Sequence, residues 1–230
     1  MKILYKISGE ALGDLKKPWR TGNLKRVIAV LEILREAGHA VAVVVGGGNI
    51  WRYRDHTDMP LPRVESDFLG MLATVFNANC LKSTAEHAGI EAVVFSRVKV
   101  AEEVALPYSK AKAQAAMRAG KLVFLAGGTG KSGFSTDTGA ALACVDLECD
   151  ELWKATKVDG VYTADPLQNK NAQQLPKITY ADFLKKDLKV MDASAVAVCA
   201  KNKIPIRVYR FCLRRTKKLV KGGAVGSLIS

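Results

Sequence analysis

Short apolar runs alternate with longer segments of helical periodicity along almost the whole chain. Apolar runs of strand length predict buried strands, and apolar residues that recur every three to four positions predict amphipathic helices. The opening run KILYKIS predicts a first strand, and the segment between Thr21 and Gly38 predicts the helix after it, with Thr21 as its N-cap. The apolar stripe of that helix consists of Leu24, Val27, Ile28, Leu31 and Leu34.

The same alternation continues to the C-terminal end. Further strands are predicted over AVAVVV, EAVVFS, KLVFLA, ELWKAT and IPIRVY, and GSLIS is expected to close an edge of the sheet. Helices are predicted from about Asp67 to Glu86 and over SKAKAQAAMRAG, TGAALACVDLE, YADFLKK and ASAVAVCAKN. Strands that alternate with helices predict an α/β fold, a three-layer α/β/α sandwich with a largely parallel central sheet. No linker divides residues 1–230, so we expect a single domain.

Polar or glycine-rich turns follow four of the predicted strands. These turns are SGE, GGGN, GGTGKSGFST and TKVDG. In open parallel sheets, ligands bind outside the carboxyl ends of the strands, which all lie at the same edge. We therefore expect the four turns to gather into one ligand site.

The sequence GTGKS in the third turn resembles part of a P-loop. That signature requires a glycine, four variable residues and then Gly-Lys-Ser or Gly-Lys-Thr. If Gly130 and Lys131 form its second half, the first glycine falls at position 125, which is Leu125. The segment SGFST also separates the lysine from the next helix, whose N-cap is predicted to be Thr136 or Asp137. The turn is therefore not a P-loop, although a glycine-rich turn before a helix N-terminus still favours an anion.

Several residues at these turns carry candidate chemistry. Lys6, at the end of the first strand, can bring an ammonium group to a transferring phosphoryl group, or it is a surface lysine. Glycines 46–48 expose backbone N–H groups to a phosphate, or they form a flexible turn. Asp137 holds the lysine and any metal against the phosphates, or it caps its helix. Asp159 and Asp165 shape turns, or they belong to a loop around a nucleotide base and ribose.

Charge and cysteine content narrow the class of protein. The formal net charge of +13 favours polyanionic partners, which include nucleic acids, anionic membranes and phosphorylated small molecules. Nucleic-acid binding is not expected, because the basic segment RFCLRRTKKLVKGG is typical of a solvated helix face and no nucleic-acid motif accompanies it. The five cysteines lack the spacing of a disulfide frame or a zinc site, and no segment reads as a signal peptide or membrane span. We expect a cytoplasmic protein without membrane partners.

Seven segments, in order over nearly the whole chain, resemble bacterial uridylate kinases, which are members of the amino acid kinase superfamily. The most specific of them is KATKVDGVYTADP. The other segments are KISGEAL, VVVGGGNIWR, SDFLGMLATVFNA, GTGKSGFSTDTGAAL, LKVMDASAVAVCAKNKIPIRVY and GSLIS. The resemblance implies an amino acid kinase-like fold, which handles ATP without a P-loop.

The resemblance also implies transfer of the ATP γ-phosphate to UMP with Mg²⁺ as cofactor, and a homo-oligomer that is a hexamer built from dimers. It implies that Lys6 stabilises charge on the transferred group, that Asp137 organises this lysine and the metal, and that Asp67 meets the UMP ribose hydroxyls. The implied ATP-binding residues are Lys6, Ser8, Gly9, Gly48, Arg52, Thr156, Tyr162 and Asp165. The implied UMP-binding residues are Gly47, Asp67, Thr129, Gly130, Lys131, Ser132, Gly133, Phe134, Ser135 and Thr136.

The sequence departs from the family pattern inside the turn that the resemblance assigns to the acceptor. Lys131, Ser132 and Gly133 stand where family members commonly carry Asn-Pro-Phe, so the turn lacks a rigid proline and an aromatic ring and has an additional cation. Lys131 either contacts the UMP phosphate or points to solvent.

Two other functions remain open: another superfamily kinase acting on a carboxylate, carbamate or small phosphate, and a nucleotide-binding regulator without catalysis. KVDGVYTADP argues against the first, and Lys6 and Asp137 argue against the second.

Overall fold

The computed structural model describes all of residues 1–230. The strands are β1 Lys2–Ile7, β2 Ala40–Val45, β3 Ala92–Ser96, β4 Leu106–Pro107, β5 Leu122–Ala126, β6 Glu151–Thr156, β7 Val161–Tyr162, β8 Gln174–Leu175, β9 Lys177–Ile178, β10 Ile206–Arg210 and β11 Ser227–Ile229. Nine of them form one sheet in the order β4-β3-β5-β2-β1-β6-β10-β11-β9, and β7 and β8 form a separate hairpin. Every neighbouring pair in the large sheet is parallel except β10 and β11. The largely parallel sheet is thus confirmed.

Helices cover both faces of this sheet. They are α1 Thr21–Glu36, α2 Arg63–His87, α3 Lys110–Arg118, α4 Thr136–Asp146, α5 Tyr180–Lys185, α6 Ala193–Lys201 and α7 Leu213–Val220. Because side chains alternate along a strand, Ile3 and Tyr5 of β1 pack with α1, α2 and α7, whereas Leu4 packs with the helices α3 to α6 on the opposite face. The two apolar cores on either side of the sheet confirm the three-layer α/β/α architecture. No helix combines the length and the apolar character that a membrane crossing requires.

Two predicted helix caps are wrong. Thr21 is the first residue of α1, because Arg20 still has extended backbone angles and occupies the N-cap position. Ser135 caps α4, and its hydroxyl accepts a hydrogen bond from a backbone N–H in the first turn at 3.2 Å. Neither Thr136 nor Asp137 is therefore the cap. Ser135 is as favourable a cap residue as Thr136 or Asp137, whereas Arg20 makes no side-chain cap hydrogen bond. The path of the preceding chain decides the position in both helices.

Two element positions also differ from the sequence prediction. Helix α2 begins at Arg63, four residues before the predicted start at Asp67, because its polar first turn carries no apolar periodicity. Strand β11 does not close the edge of the sheet, since β9 pairs with its outer side. Strand β9 has only two residues, which is too short for any periodicity to predict it.

The four turns lie together, as predicted, at the carboxyl edge of β1, β2, β5 and β6. These strands are neighbours in the order β5-β2-β1-β6. Their parallel register places Lys6 of β1 opposite Val44 of β2 on one side and opposite Lys154 of β6 on the other. The centre of the sheet therefore presents two lysines next to each other.

Candidate functional site

A cavity of about 640 Å³ opens at this edge of the sheet, which is a volume typical of small-molecule sites. The predicted site residues that line it are Lys6, Ser8, Gly9, Gly47, Gly48, Arg52, Asp67, Thr129, Lys131, Phe134, Ser135 and Thr136. Three residues of the turn that follows β5 do not line the cavity, although Thr129, Lys131 and Phe134 of the same turn do. These three are Gly130, Ser132 and Gly133. Asp137 is buried beneath it, and Thr156, Tyr162 and Asp165 lie outside it.

Asp137 is held between two ammonium groups under the floor of the cavity. The Lys6 ammonium lies 2.8 Å from Asp137 Oδ1, and the Lys154 ammonium donates to Oδ2. The side chains of Lys6, Asp137 and Lys154 are only 11%, 8% and 9% exposed. Lys6 is therefore not an ordinary surface lysine, and Asp137 pairs with two cations in addition to its place in the first turn of α4.

The ionisation of this cluster follows from its geometry. Burial raises the pKa of Asp137, but the attraction of Lys6 and Lys154 outweighs burial and lowers that pKa to about 2. Burial and the charge of Lys6 lower the pKa of Lys154. With the carboxylate ionised between two ammonium groups, the cluster carries an excess of positive charge directly below the cavity, which favours a bound phosphate.

Lys154 is a site residue that the sequence analysis missed. The signal was present, because ELWKAT places a charged residue in the middle of a strand that is otherwise buried. A buried lysine needs a partner, and only the pairing of β1 with β6 shows that this partner is the carboxylate that Lys6 also contacts.

The glycine-rich turn after β2 is fixed in place and is not a flexible connection. The Asn77 side-chain amide donates to the carbonyl oxygen of Gly46 and to Asn49 Oδ1, each at 2.7 Å. A Cβ at Gly47 would lie 2.7 Å from the carbonyl oxygen of Gly70 in α2, so only glycine allows this approach. The turn therefore presents its backbone to the cavity in a defined conformation.

Asp67 fastens the turn that follows β5. Its Oδ2 accepts hydrogen bonds from the Ser132 hydroxyl at 2.7 Å and the Gly133 N–H at 2.8 Å, and its Oδ1 accepts one from Arg63 at 2.9 Å. Burial raises the pKa of Asp67, but these hydrogen bonds outweigh burial and lower it. Ser132 and Gly133, which stand in place of the proline and the aromatic ring, thus hold the turn through their hydrogen bonds to Asp67. Lys131 remains exposed at the cavity.

Glu10 links three of the four turns and was also missed by the sequence analysis. Its carboxylate pairs with Arg52 after β2 and with Lys157 after β6. Burial raises the pKa of Glu10, but the two cations outweigh burial and lower it. The only signal was its position in SGE, directly after the first strand.

The segment after β6 forms a separate wall beyond the cavity. Thr156 ends β6, and Tyr162 lies in the hairpin strand β7. Asp165 Oδ1 accepts a hydrogen bond from the Leu167 N–H at 2.9 Å, so this aspartate shapes a turn in the structure. Asp159 pairs with Arg215 of α7 at 2.8 Å, which ties the same segment to the C-terminal part of the chain.

Three carboxylates lie at or beneath the cavity, because Glu10 and Asp67 line it and Asp137 is buried under its floor. No group of three or more His, Cys, Asp or Glu residues is arranged to hold a metal ion. Mg²⁺ in nucleotide sites commonly binds substrate phosphates, waters and one or two carboxylates. Asp137 is ionised and its Oδ1 pairs with Lys6, so it is the carboxylate that would lie next to a cation bound with a phosphate at this lysine.

These features define a class of protein: α/β proteins that bind phosphate at the carboxyl edge of a parallel sheet without a P-loop. A family model described as the amino acid kinase family matches residues 1–210. The chain belongs to the amino acid kinase family.

Known members extend this similarity over the full chain. A uridylate kinase of Bacteroides thetaiotaomicron is 38% identical over 230 residues, which cover 99% of this chain and 97% of that protein. The crystal structure of a UMP kinase from Bacillus anthracis superimposes with a TM-score of 0.95 at 29% identity, covering 100% of this chain and 95% of that one. A UMP kinase structure from Ureaplasma parvum gives a TM-score of 0.92 at 28% identity, with coverage of 100% and 98%.

Proposed function

We propose that this protein is a UMP kinase, which transfers the γ-phosphate of ATP to UMP and gives UDP and ADP. The observation that carries this proposal is the buried cluster of Lys6, Asp137 and Lys154 beneath a cavity with phosphate-binding turns on both sides. The 38% identity to a uridylate kinase over nearly the whole chain supports the choice of substrate.

The donor nucleotide binds on the side of β1 and β2. Backbone N–H groups of Gly9 and Gly48 and the guanidinium of Arg52 contact the ATP phosphates, and the segment from Thr156 to Asp165 contacts its nucleoside. The Lys6 ammonium reaches the γ-phosphoryl group from the floor of the cavity. Asp137 keeps this ammonium in position, and the N-terminus of α4 adds its positive dipole end.

The acceptor binds on the side of α2 and the turn after β5. Residues 129–136 hold the uracil and the phosphate of UMP, and Asp67 and Gly47 complete this half of the site. An oxygen of the UMP phosphate attacks the γ-phosphorus, the bond from that phosphorus to the β–γ bridging oxygen breaks, and ADP leaves with the bonding electrons. The attacking phosphate is already anionic, so no general base is required, and alignment and charge neutralisation supply the catalysis.

The proposed cofactor is Mg²⁺, bound with ATP near Asp137. When bound, it neutralises charge on the β- and γ-phosphates. Within the chain, Asp137 would be the carboxylate nearest to the cation, and the positive charges of Lys6 and Arg52 would neutralise the remaining negative charge of the phosphates.

Product analysis tests the proposed function. The purified protein is incubated with ATP, Mg²⁺ and each nucleoside monophosphate in turn, and the nucleoside diphosphates are quantified by chromatography. We expect UDP from UMP, with a kcat/KM well above that for AMP, GMP or CMP. Phosphorylation of another acceptor in place of UMP would sink the proposal, and so would binding of ATP and UMP without turnover.

Lys154 is proposed as a positioning residue that acts through Asp137. We expect Lys154→Met to lower kcat by about tenfold to a hundredfold, because Asp137 loses one of its two partners. Since burial and Lys6 lower the pKa of Lys154, its ammonium loses its proton at a lower pH than an exposed lysine. The wild-type kcat should therefore fall at alkaline pH, and Lys154→Met should lack that decline. Steady-state kinetics against pH measure both effects; the exposed Lys201→Met is the control, and an alkaline decline that persists in Lys154→Met contradicts the role.

Lys131 is expected to contact the UMP phosphate from the rim of the cavity. Lys131→Ala should raise the KM for UMP by about threefold to tenfold at low salt, and the effect should shrink as salt screens the charge. The KM for UMP is measured at two ionic strengths, with Lys170→Ala as a control for lost surface charge. Unaltered UMP affinity at low salt would place Lys131 in solvent.

We also propose that the protein forms a homo-oligomer, a hexamer built from dimers, and that the outer face of α2 contributes to its contacts. Val64, Phe68, Leu72 and Phe76 lie four residues apart on this helix and are 55%, 41%, 39% and 62% exposed. A contiguous apolar stripe of this kind favours burial, and a twofold contact would pair it with its own copy.

This interface gives a measurable expectation. We expect Leu72→Glu to shift the protein to a smaller assembly, because the contact would bury a carboxylate in apolar surroundings. Light scattering coupled to size-exclusion chromatography reports the mass, and Leu167→Glu, at a leucine that is 77% exposed outside α2, is the control. An unchanged mass in Leu72→Glu would remove this face from the assembly.

Two further proposals concern the chain as a whole. We infer a single domain, because β1 near one end of the chain and β11 near the other belong to the same sheet. We infer a cytoplasmic location, because all five cysteines are free thiols.

A further inference from the structure

Hydrogen-bond donors of the chain itself surround Asp67, which contacts the turn after β5, here called the acceptor turn (residues 127–135). Asp67 Oδ2 accepts hydrogen bonds from the Ser132 hydroxyl at 2.7 Å and from the Gly133 N–H at 2.8 Å. Its Oδ1 accepts one from the Arg63 guanidinium at 2.9 Å. A carboxylate has about four lone-pair sites, so these three donors leave about one site free, on Oδ1.

Asp67 is the carboxylate that faces the acceptor half of the cavity at the edge of the sheet. Two carboxylates line this cavity, and the other one, Glu10, pairs with Arg52 and Lys157 on the donor side. The side chain of Asp67 is 16% exposed and lines the cavity from α2. The hydroxyl groups of a sugar donate hydrogen bonds, and an ionised carboxylate only accepts them. Asp67 is therefore placed to bind the sugar of a nucleotide in this half of the site.

Ser132 engages Asp67 from outside the cavity. Asp67 lines the cavity, whereas Ser132 does not. A nucleotide that enters thus meets Asp67 with its Oδ2 already engaged by a hydroxyl and by the Gly133 N–H. Displacement of the Ser132 hydroxyl by a sugar hydroxyl exchanges one hydrogen bond for another of the same kind, so it yields little net free energy.

The number of free sites on Asp67 decides how many sugar hydroxyls it can bind. A ribose presents neighbouring hydroxyls at C2′ and C3′, and a 2′-deoxyribose presents only the hydroxyl at C3′. The free site on Oδ1 serves the 3′-hydroxyl of either sugar, and the 2′-hydroxyl of ribose finds no further site on Asp67. A protein rejects an analogue that lacks a hydroxyl when the loss leaves a polar group of the site unpaired. Asp67 keeps its partners whether or not the 2′-hydroxyl is present.

We propose that Ser132 determines the sugar specificity of the acceptor site and that the protein phosphorylates 2′-deoxynucleoside monophosphates, because the Ser132 hydroxyl takes the place of the 2′-hydroxyl on Asp67. This inference rests on the proposed UMP kinase function and extends it to dUMP. An oxygen of the dUMP phosphate attacks the γ-phosphorus of ATP, and ADP leaves with the bonding electrons, which gives dUDP. The proline that family members commonly carry at this position has no hydroxyl, so the relaxed selectivity is a property of this chain's own residue.

Steady-state kinetics with UMP and dUMP test the proposal. In the wild type, we expect kcat/KM for UMP to exceed that for dUMP by less than about fivefold, the scale of one ordinary hydrogen bond. Ser132→Ala frees a site on Oδ2 for the 2′-hydroxyl and should raise this ratio by about tenfold, the scale of a hydrogen bond to a charged group. Ser132→Thr keeps the hydroxyl and is the matched control, with the wild-type ratio. A wild type that strongly prefers UMP, or a ratio in Ser132→Ala that is unchanged or lower, overturns the proposal.

The ratio also separates specificity from a merely structural role of Ser132. A loosened acceptor turn would raise the KM for UMP and for dUMP alike and would leave their ratio unchanged. Calorimetry with each nucleotide, in the presence of a non-hydrolysable ATP analogue, measures both affinities without turnover. If neither UDP nor dUDP is formed, the proposed function fails, but similar affinities in the wild type and a preference for UMP in Ser132→Ala still support the role of Ser132. Failure of both nucleotides to bind overturns it.

Discussion

Lys6→Ala is expected to reduce kcat by about a hundredfold to a thousandfold, the scale of one lost electrostatic contact to a transition state, while UMP affinity stays nearly unchanged. The Lys6 ammonium lines the cavity at the carboxyl edge of the sheet and is held 2.8 Å from Asp137 Oδ1. In the proposed mechanism this ammonium meets the transferred phosphoryl group and not the acceptor. Steady-state kinetics give kcat, and calorimetry with UMP gives the affinity.

Two companion variants make this result specific. Lys6→Arg keeps the charge but not the size and should recover part of the activity. Lys2→Ala removes a lysine from the same strand whose side chain is 41% exposed, and it should leave kcat unchanged. If turnover in Lys6→Ala equals that of the wild type, Lys6 has no place in the mechanism.

Asp137→Asn is expected to lower both stability and activity. The substitution leaves the buried ammonium groups of Lys6 and Lys154 without a counter-charge, so we expect a loss of about 3 kcal/mol in the free energy of unfolding. Turnover should fall by at least about a hundredfold, because Lys6 loses its fixed position. Urea unfolding and steady-state kinetics measure the two effects.

The contribution of Asp137 to the free energy of unfolding is expected to decrease as the pH falls. The folded-state pKa of Asp137 is lowered to about 2, below the unfolded value of about 3.9. Its contribution is therefore fully present above about pH 4 to 5 and is lost as the pH falls toward 2. Asp137→Asn should lack this part of the acid dependence. Asp187→Asn, at a surface aspartate that is 76% exposed, is the control; equal acid dependence in wild type and Asp137→Asn would contradict the ionised pair.

Much of the fold could be predicted because local patterns carry it. The strand runs and helical stripes of the principal elements follow from side-chain periodicity, and the position of the glycine-rich and polar turns after strands β1, β2, β5 and β6 places them at one edge. In contrast, the strands β7, β8 and β9 have only two residues each, which is too short for a periodic pattern. Strands of this length exist because a neighbour is available and not because of their own sequence.

The residues of the candidate site also fall into two groups: those that the sequence indicated and those that only the structure showed. Lys6, the glycine turn and Asp137 were identified because each stands next to a predicted element boundary. Lys154 and Glu10 were not, because their importance lies in partners far away along the chain: Asp137 for Lys154, and Arg52 and Lys157 for Glu10. A buried charge is conspicuous in a sequence only as a break in an apolar run, and the break does not name its partner.

The sequence by itself determined the α/β architecture, the absence of a P-loop and the edge of the sheet at which a ligand binds, since these depend on periodicity and on the order of turns. Only the tertiary structure decided that Lys6 and Lys154 share one carboxylate, that Asp67 holds the acceptor turn through Ser132 and Gly133, and that Lys131 lies at the rim of the cavity. The physical reason is that charge pairing and cavity walls depend on distances between strands and turns that are remote in sequence, and these distances are set by the packing of the whole sheet.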